Sequence, residues 1–281
     1  MIFYSPLRYP GGKNRLAPFV KSVIKENDLL GVHYIEPYAG GAAVALNLLF
    51  EEYVSKIVIN DLDRSIYAFW HSAVHSTDRF CEKINNTKID VSNWVKARRI
   101  QSNKNKEDLF TLGFSTFFLN RTNVSGVLNG GVIGGINQKG PYKIDARFNK
   151  KNLIEKIQKI GEFRDRIDVS NKDALRLLKK LSVPSFIYLD PPYVAKAKHL
   201  YINSYKEEDH LDLAEFTQKK VPKGIYWITS YDHTSFILES YKHCRNKLYW
   251  NVRYSTSNRT NAQEVIFTAN NLCVKKSLQC L

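Results

Sequence analysis

Residues 189–193, Leu189-Asp190-Pro191-Pro192-Tyr193, set a carboxylate and a phenol ring two rigid residues apart. Each proline lacks an amide donor and restricts the residue before it, so the turn is stiff and aims Asp190 and Tyr193 the same way. A hydrogen-bond acceptor beside a stacking platform suits a planar, amino-bearing base. The same residues also make an ordinary strand-ending turn, with Asp190 capping and Tyr193 packing. Other stretches of the chain decide between the two.

Several of those stretches carry chemistry of their own. In Arg8-Tyr9-Pro10-Gly11-Gly12-Lys13 the paired glycines permit close backbone approach, so a carboxylate or phosphate fits against the loop with Lys13 as counter-charge; a plain surface turn is the alternative. Glu36-Pro37-Tyr38-Ala39-Gly40-Gly41 follows an apolar run and precedes a helical pattern, which reads as strand, glycine turn, helix. Asp61 ends the next apolar run, at the distance past the glycines where nucleotide-binding folds take the ribose hydroxyls. Its other use would be to cap the helix in which Ile66, Phe69, Trp70 and Ala73 recur, a task open equally to Asp63. Asp173 stands just beyond Ile167-Asp168-Val169, placed either to accept from a nucleobase amino group or to cap.

These residues need a scaffold, and the apolar runs supply it. Phe186-Ile187-Tyr188-Leu189 reads as a buried parallel strand, and in open α/β sheets the ligand crevice lies beyond the carboxyl ends of such strands. Further strands are expected over 32–35, 56–60, 225–229, 249–254 and 265–267, with helices over 42–50, 174–180, 207–219 and 234–239. Between 77 and 166 the βα rhythm stops. An aromatic, helical stretch at 110–119 leads into Asn120-Arg121-Thr122-Asn123-Val124-Ser125-Gly126 and then a glycine-punctuated segment, read as a hairpin or looped arm. Arg121, Asn123, Asn129, Gln138, Lys143 and Arg147 suit contact with phosphates and base edges, as do Lys196 and Lys198 after Tyr193; a solvated basic lobe is the alternative.

The whole chain bounds these readings. Its 281 residues allow one sizeable core with an insertion. With 42 Lys+Arg against 27 Asp+Glu, the formal charge of +15 points to a polyanionic partner, nucleic acid before a membrane. Four cysteines without paired spacing suggest reduced thiols rather than a zinc site or a disulfide framework. No long apolar segment or leader is apparent, so a cytoplasmic location is expected.

Pro-Gly-Gly-Lys, then Glu-Pro-Tyr-x-Gly-Gly, then an inserted basic lobe, then Asp-Pro-Pro-Tyr: this order resembles the Dam-type, α-class DNA adenine-N6 methyltransferases, from Arg8 to about Phe267. The resemblance implies a Rossmann-like fold, a mixed seven-stranded sheet binding S-adenosylmethionine, with residues 1–76 and 167–281 as catalytic domain. Residues 77–166 would be a mainly helical target-recognition lobe carrying a hairpin arm. It implies that Lys13, with Tyr9 and Gly12, holds the cofactor's methionine carboxylate, and that Glu36, Tyr38 and Gly40 line its methionine and ribose side. Asp61 would take the ribose hydroxyls and Asp173 the cofactor's adenine amino group. Asp190 and the Pro191 carbonyl would accept from the target N6 amino group, Pro192 would stiffen the turn, and Tyr193 would stack on the flipped base, without a metal.

The implied partner is double-stranded DNA, with a cognate restriction endonuclease if the enzyme serves a restriction system; a solitary or phage-type enzyme is the other setting. The glycine-rich middle of the arm departs from the family's pattern, so no recognition sequence is carried over. The rivals are a non-catalytic nucleic-acid binder that keeps the fold, and an RNA adenine methyltransferase.

Overall fold

The computed structural model describes residues 2–8, 13–181, 184–194, 205–253 and 261–274. At its centre lies a seven-stranded sheet of β1 (His33–Glu36), β2 (Lys56–Asn60), β3 (Ile167–Ser170), β4 (Ser185–Leu189), β5 (Ile225–Asp232), β6 (Asn246–Arg253) and β7 (Asn261–Thr268), ordered β3-β2-β1-β4-β5-β7-β6. Neighbours pair in parallel from β3 to β5, whereas β7 runs antiparallel to both β5 and β6. Strand β4 is buried along its whole length, which is why it reads as a continuous apolar run. Strands β6 and β7 extend beyond their expected bounds, because a hairpin ladder pairs polar residues as readily as apolar ones.

Helix α1 (Ala17–Glu26) precedes β1, and α2 (Ala43–Phe50) and α3 (Arg64–His75) follow β1 and β2 in the first crossovers. Asp63 caps α3, its carboxylate accepting from Ser65 N at 3.0 Å. The insertion folds as α4 (Thr77–Asn86), α5 (Val91–Ser102), α6 (Leu109–Thr122) and α7 (Lys150–Glu162). Asp90, Asp108 and Asn149 cap the last three, each side chain accepting an otherwise orphaned amide. Helices α8 (Ala174–Leu178), α9 (Glu207–Glu215) and α10 (Ser235–Ser240) complete the layers, α9 running on into a π-helical turn at Phe216–Lys220.

The insertion has no core of its own. Phe69 of α3 stacks on Phe117 of α6 at 5.9 Å, and Phe80 of α4 meets Phe117 edge-on at 5.4 Å, within one cluster that includes the sheet residues. This contact depends on Gly113: a Cβ there would lie 2.3 Å from the Ala68 carbonyl oxygen. Backbone cannot step aside as a side chain can. Gly113→Ala is therefore expected to cost about 1–3 kcal/mol as overpacking, read as a lower thermal midpoint, whereas Gly131→Ala, facing open space, leaves the midpoint in place.

The arm between α6 and α7 is looped rather than a hairpin. A single antiparallel bridge, Asn123 to Val132, and a 3-10 turn at Val124–Gly126 stand where a ladder was expected. Positive φ at Ser125, Gly126, Gly134, Gly135 and Gln138 turns the chain too often for two strands to run side by side.

Candidate active site

The acids singled out by their sequence positions gather at one edge of the sheet. Glu36 closes β1, Asp61 follows β2, Asp173 lies beyond β3 and Asp190 follows β4. The strand order reverses between β1 and β4, so the crevice of an open α/β sheet falls between Glu36 and Asp190.

Asp190 is held by three elements. Ser230 of β5 donates to its Oδ1 at 2.8 Å, and Tyr193 OH donates to the same atom at 3.3 Å. Since Ser230 has one proton, the 2.8 Å contact of Tyr188 OH with Ser230 Oγ must be a donation from the tyrosine, which extends the chain Tyr188, Ser230, Asp190. Lys13 Nζ stands 3.5 Å from Asp190 Oδ1, donates to Tyr193 OH, and lies 4.9 Å from the centroid of that ring. Burial pushes the Asp190 carboxyl above its usual range, with Lys13 opposing. Lys13, expected beside a cofactor carboxylate, thus stands against the carboxylate and the phenol of the Asp-Pro-Pro-Tyr turn. The Tyr193 ring is itself buried.

The glycine turn makes the second half. Gly40 (φ 47°) and Ala42 (φ 46°) both adopt left-handed backbone, which folds the turn back over β2. Gly40 N donates to Asp61 Oδ2 at 2.9 Å, Asp63 N donates to Oδ1 at 2.9 Å, and Trp70 Nε1 donates to the Gly40 carbonyl at 2.9 Å. With Asp63 capping α3, Asp61 is spared that task. Desolvation nonetheless pushes its carboxyl up to about 7. Glu36 is buried, accepting from Tyr34 OH at 3.0 Å and Ala45 N at 2.8 Å, and burial pushes it up to about 8. Tyr38 OH meets Tyr205 OH, their rings 5.7 Å apart. Asp173 caps α8 through Arg176 N at 2.9 Å.

The arm residues divide. Arg121 spends its guanidinium on the carbonyls of Arg147 (Nε at 2.7 Å) and Pro6. Asn123 is fully buried: it donates to Val127 O at 2.8 Å and Leu128 O at 3.0 Å, and accepts from Trp94 Nε1 at 2.6 Å. Gln138 donates to Ile133 O at 2.8 Å and accepts from Ile144 N at 2.8 Å. Expected at base edges, these three instead fasten the arm. Asn129, Lys143 and Arg147 are exposed, Lys143 bracing the arm through Gln138 O at 2.7 Å. Tyr9, Gly12, Lys196 and Lys198 lie outside the described residues.

Two residues of the site, Ser230 and Glu264, escaped the sequence reading, and Asn120 was read only as part of the arm. Asn120 clamps the N-terminal segment, accepting from Arg8 N at 2.7 Å and donating to Arg8 O and Gly126 O at 2.9 Å. Glu264 Oε2 accepts from Lys13 Nζ at 2.7 Å. Its signal was available as a lone acid directly before Val265-Ile266-Phe267.

A mixed seven-stranded sheet with the site at this edge is the Rossmann-like methyltransferase fold. Residues 9–256 match the model of the D12 class N6 adenine-specific DNA methyltransferases, and the chain belongs to that family. It is similar to the Type II methyltransferase M.MjaIII of Methanocaldococcus jannaschii, 24% identical over 238 residues that cover 78% of this chain and 80% of the relative. It is also similar to the Type II methyltransferase M1.LlaDCHI of Lactococcus lactis subsp. cremoris, 22% identical over 84% of this chain and 83% of the relative. A solved structure from Pyrococcus horikoshii, provisionally assigned as an RNA methyltransferase, aligns over 93% of this chain and 84% of its own length at a TM-score of 0.43 and 11% identity. Among the described residues no helix is long and apolar enough to cross a membrane.

Proposed function

We propose that the Asp190 turn accepts an adenine swung out of double-stranded DNA and that the Glu36–Asp61 side of the crevice holds S-adenosylmethionine. What carries this reading is Asp190, fixed by Ser230 and Tyr193 at the end of the central strand, across the crevice from Glu36 and Asp61, which accept from a phenol and from backbone amides. Glu36 fits the cofactor's ammonium group. A buried acid whose described partners are a phenol and an amide gains most from a cation brought by the ligand. Asp61, braced by two amides, would take the ribose hydroxyls, with Tyr38 and Gly40 on the turn before it and Asp173 beyond β3 completing that side.

S-adenosylmethionine, when bound, supplies a methyl group on a positively charged sulfur. The chain's part is to make the adenine N6 a nucleophile. Its lone pair is delocalised into the ring, and hydrogen bonds to Asp190 and the Pro191 carbonyl would draw the amino hydrogens toward tetrahedral geometry. The N6 lone pair would then take the methyl group, the carbon–sulfur electron pair leaving with sulfur, and N6 would pass its extra proton to solvent. Holding nitrogen and methyl in line supplies much of the remaining acceleration, which the stiff proline pair serves. Lys13 acts in this reading as the charge partner of the turn, and Pro192 and Tyr193 frame the base.

Labelled methyl transfer to unmethylated duplex, followed by identification of the nucleoside and its sequence context, tests the proposal. N6-methyladenine at one repeated motif supports it; transfer to RNA in preference to duplex DNA overturns it. The relatives' Type II naming favours the modification half of a restriction system. Plasmid methylated by the protein would then resist a cognate nuclease.

For DNA contact the exposed Arg147, Lys143 and Asn129 are the arm's candidates. Arg147→Ala is expected to lower DNA affinity and to reduce the slope of log affinity against log salt by about one, the loss of one phosphate contact. Arg121→Ala should act differently. It frees two carbonyls that its guanidinium ties together, so it lowers the thermal midpoint as well as DNA binding.

A further inference from the structure

Two carboxylates meet one ammonium at the end of β4. Lys13 Nζ lies 2.7 Å from Glu264 Oε2 and 3.5 Å from Asp190 Oδ1. The first distance is that of a charge-assisted hydrogen bond; the second is too long for a good one and acts mainly through space. Glu264 is 2% exposed, and the reversed direction of β7 brings it beside Asp232 of β5 and Trp250 of β6, at the sheet edge where the parallel strands end. A carboxylate that deep has lost most of its hydration and is tolerated where a cation offsets the loss. Among the described residues, Lys13 supplies that charge.

We propose that Glu264 is a positioning residue for methyl transfer: by holding Lys13 it keeps the ammonium from closing onto Asp190 and leaves Asp190 available to accept from the target amino group. The proposal rests on the reading of Asp190 as that acceptor. Without Glu264, Lys13 would be drawn into a close pair with Asp190 and would occupy the lone pairs the substrate needs. With Glu264, one positive charge is shared by two negative ones. Asp190 then keeps its charge density while Ser230 and Tyr193 hold its orientation.

Among the described residues, the groups facing Asp190 are Lys13 from the 3-10 turn Lys13–Leu16, Glu264 from β7, Ser230 from β5, Tyr193 from its own turn, Tyr188 of β4, and Glu36 with Tyr34 of β1. Lys13 draws the Asp190 carboxyl down and Glu264 pushes it up. Removing the Glu264 charge therefore has a signed effect. Asp190 becomes the stronger acid, so the acid limb of the rate profile moves to lower pH, while the plateau falls because Lys13 now covers the acceptor.

The test is the single-turnover methylation rate against pH, with full-length protein, saturating S-adenosylmethionine and unmethylated duplex, for the parent, E264Q, E264D and D190N. In E264Q the plateau is expected to drop about tenfold and the limb to move down by about one pH unit, the scale of one close charge. E264D, a methylene shorter, should show the same changes at smaller size. A folded E264Q with the parental plateau and limb overturns the proposal, and so does a lowered plateau with an unmoved limb, which marks a role in the fold alone. If E264Q does not fold, E264D decides by the same criterion. Parental activity in D190N sinks the reading of Asp190 itself; an inert D190N beside an unmoved E264Q limb sinks only the role of Glu264.

Discussion

Asp190→Ala is expected to slow single-turnover methyl transfer by roughly 10³-fold, about 4 kcal/mol of barrier, with cofactor affinity little changed. The size follows from where the side chain stands. Asp190 is the proposed acceptor; Ser230 fixes it at 2.8 Å and the proline turn cannot swing it away. Losing it removes the polarisation of the amino group and leaves Lys13 to Glu264 and Tyr193. The residues proposed to hold the cofactor, Glu36 and Asp61, stand at the ends of other strands, β1 and β2, and keep their partners. Asp190→Asn retains an acceptor oxygen without the charge, so it should fall between the parent and Asp190→Ala. Rapid-quench methylation with parallel calorimetry of cofactor binding measures both quantities; a fast Asp190→Ala enzyme would remove the residue from its role.

Asp61→Ala should weaken cofactor binding by on the order of 10²-fold, the loss of hydrogen bonds to a charged acceptor at about 1.5–3 kcal/mol each. The pH dependence makes the assignment specific. Ribose hydroxyls donate best to the ionised carboxylate, and burial pushes Asp61 up to about 7 in the free protein. Affinity of the parent is therefore expected to rise with pH through about 7, and Asp61→Ala to lack that step. Stability of the cofactor-free protein should move the other way. Asp61 and Glu36, at about 7 and about 8, both titrate above the ordinary carboxylate range. They bind more protons folded than unfolded, so the stability they contribute is full at low pH and is lost as pH rises toward those values. Calorimetric titrations and thermal melts across that window read the two trends. A flat affinity profile in the parent would count against Asp61.

The sequence by itself determined what local chemistry and period can determine. The unbroken apolar run of β4 marked a strand buried on both faces, and its proline-locked exit placed Asp190 at the ligand edge of a parallel sheet. The acids at 36, 61 and 173 were legible because each ends an apolar run, and the pairing of strands follows from such runs and from the handedness of their crossovers. Where two neighbours competed for one task, only the tertiary structure decided. Asp63 took the cap of α3 and spared Asp61, whereas Asp173 took the cap of α8 itself.

Long-range contact decided the rest. Arg121, Asn123 and Gln138 have the composition of base readers, yet the looped arm has few backbone partners of its own, and their side chains are drawn inward to satisfy its carbonyls. Nothing in the residue types predicts that. Lys13 and Glu264 lie 251 positions apart and meet because β7 runs antiparallel to β5 and β6 and so carries Glu264 to the edge where β4 ends. A lone glutamate in an apolar strand is visible in the sequence, but which cation offsets its burial is fixed by strand direction and register, quantities that no local pattern carries.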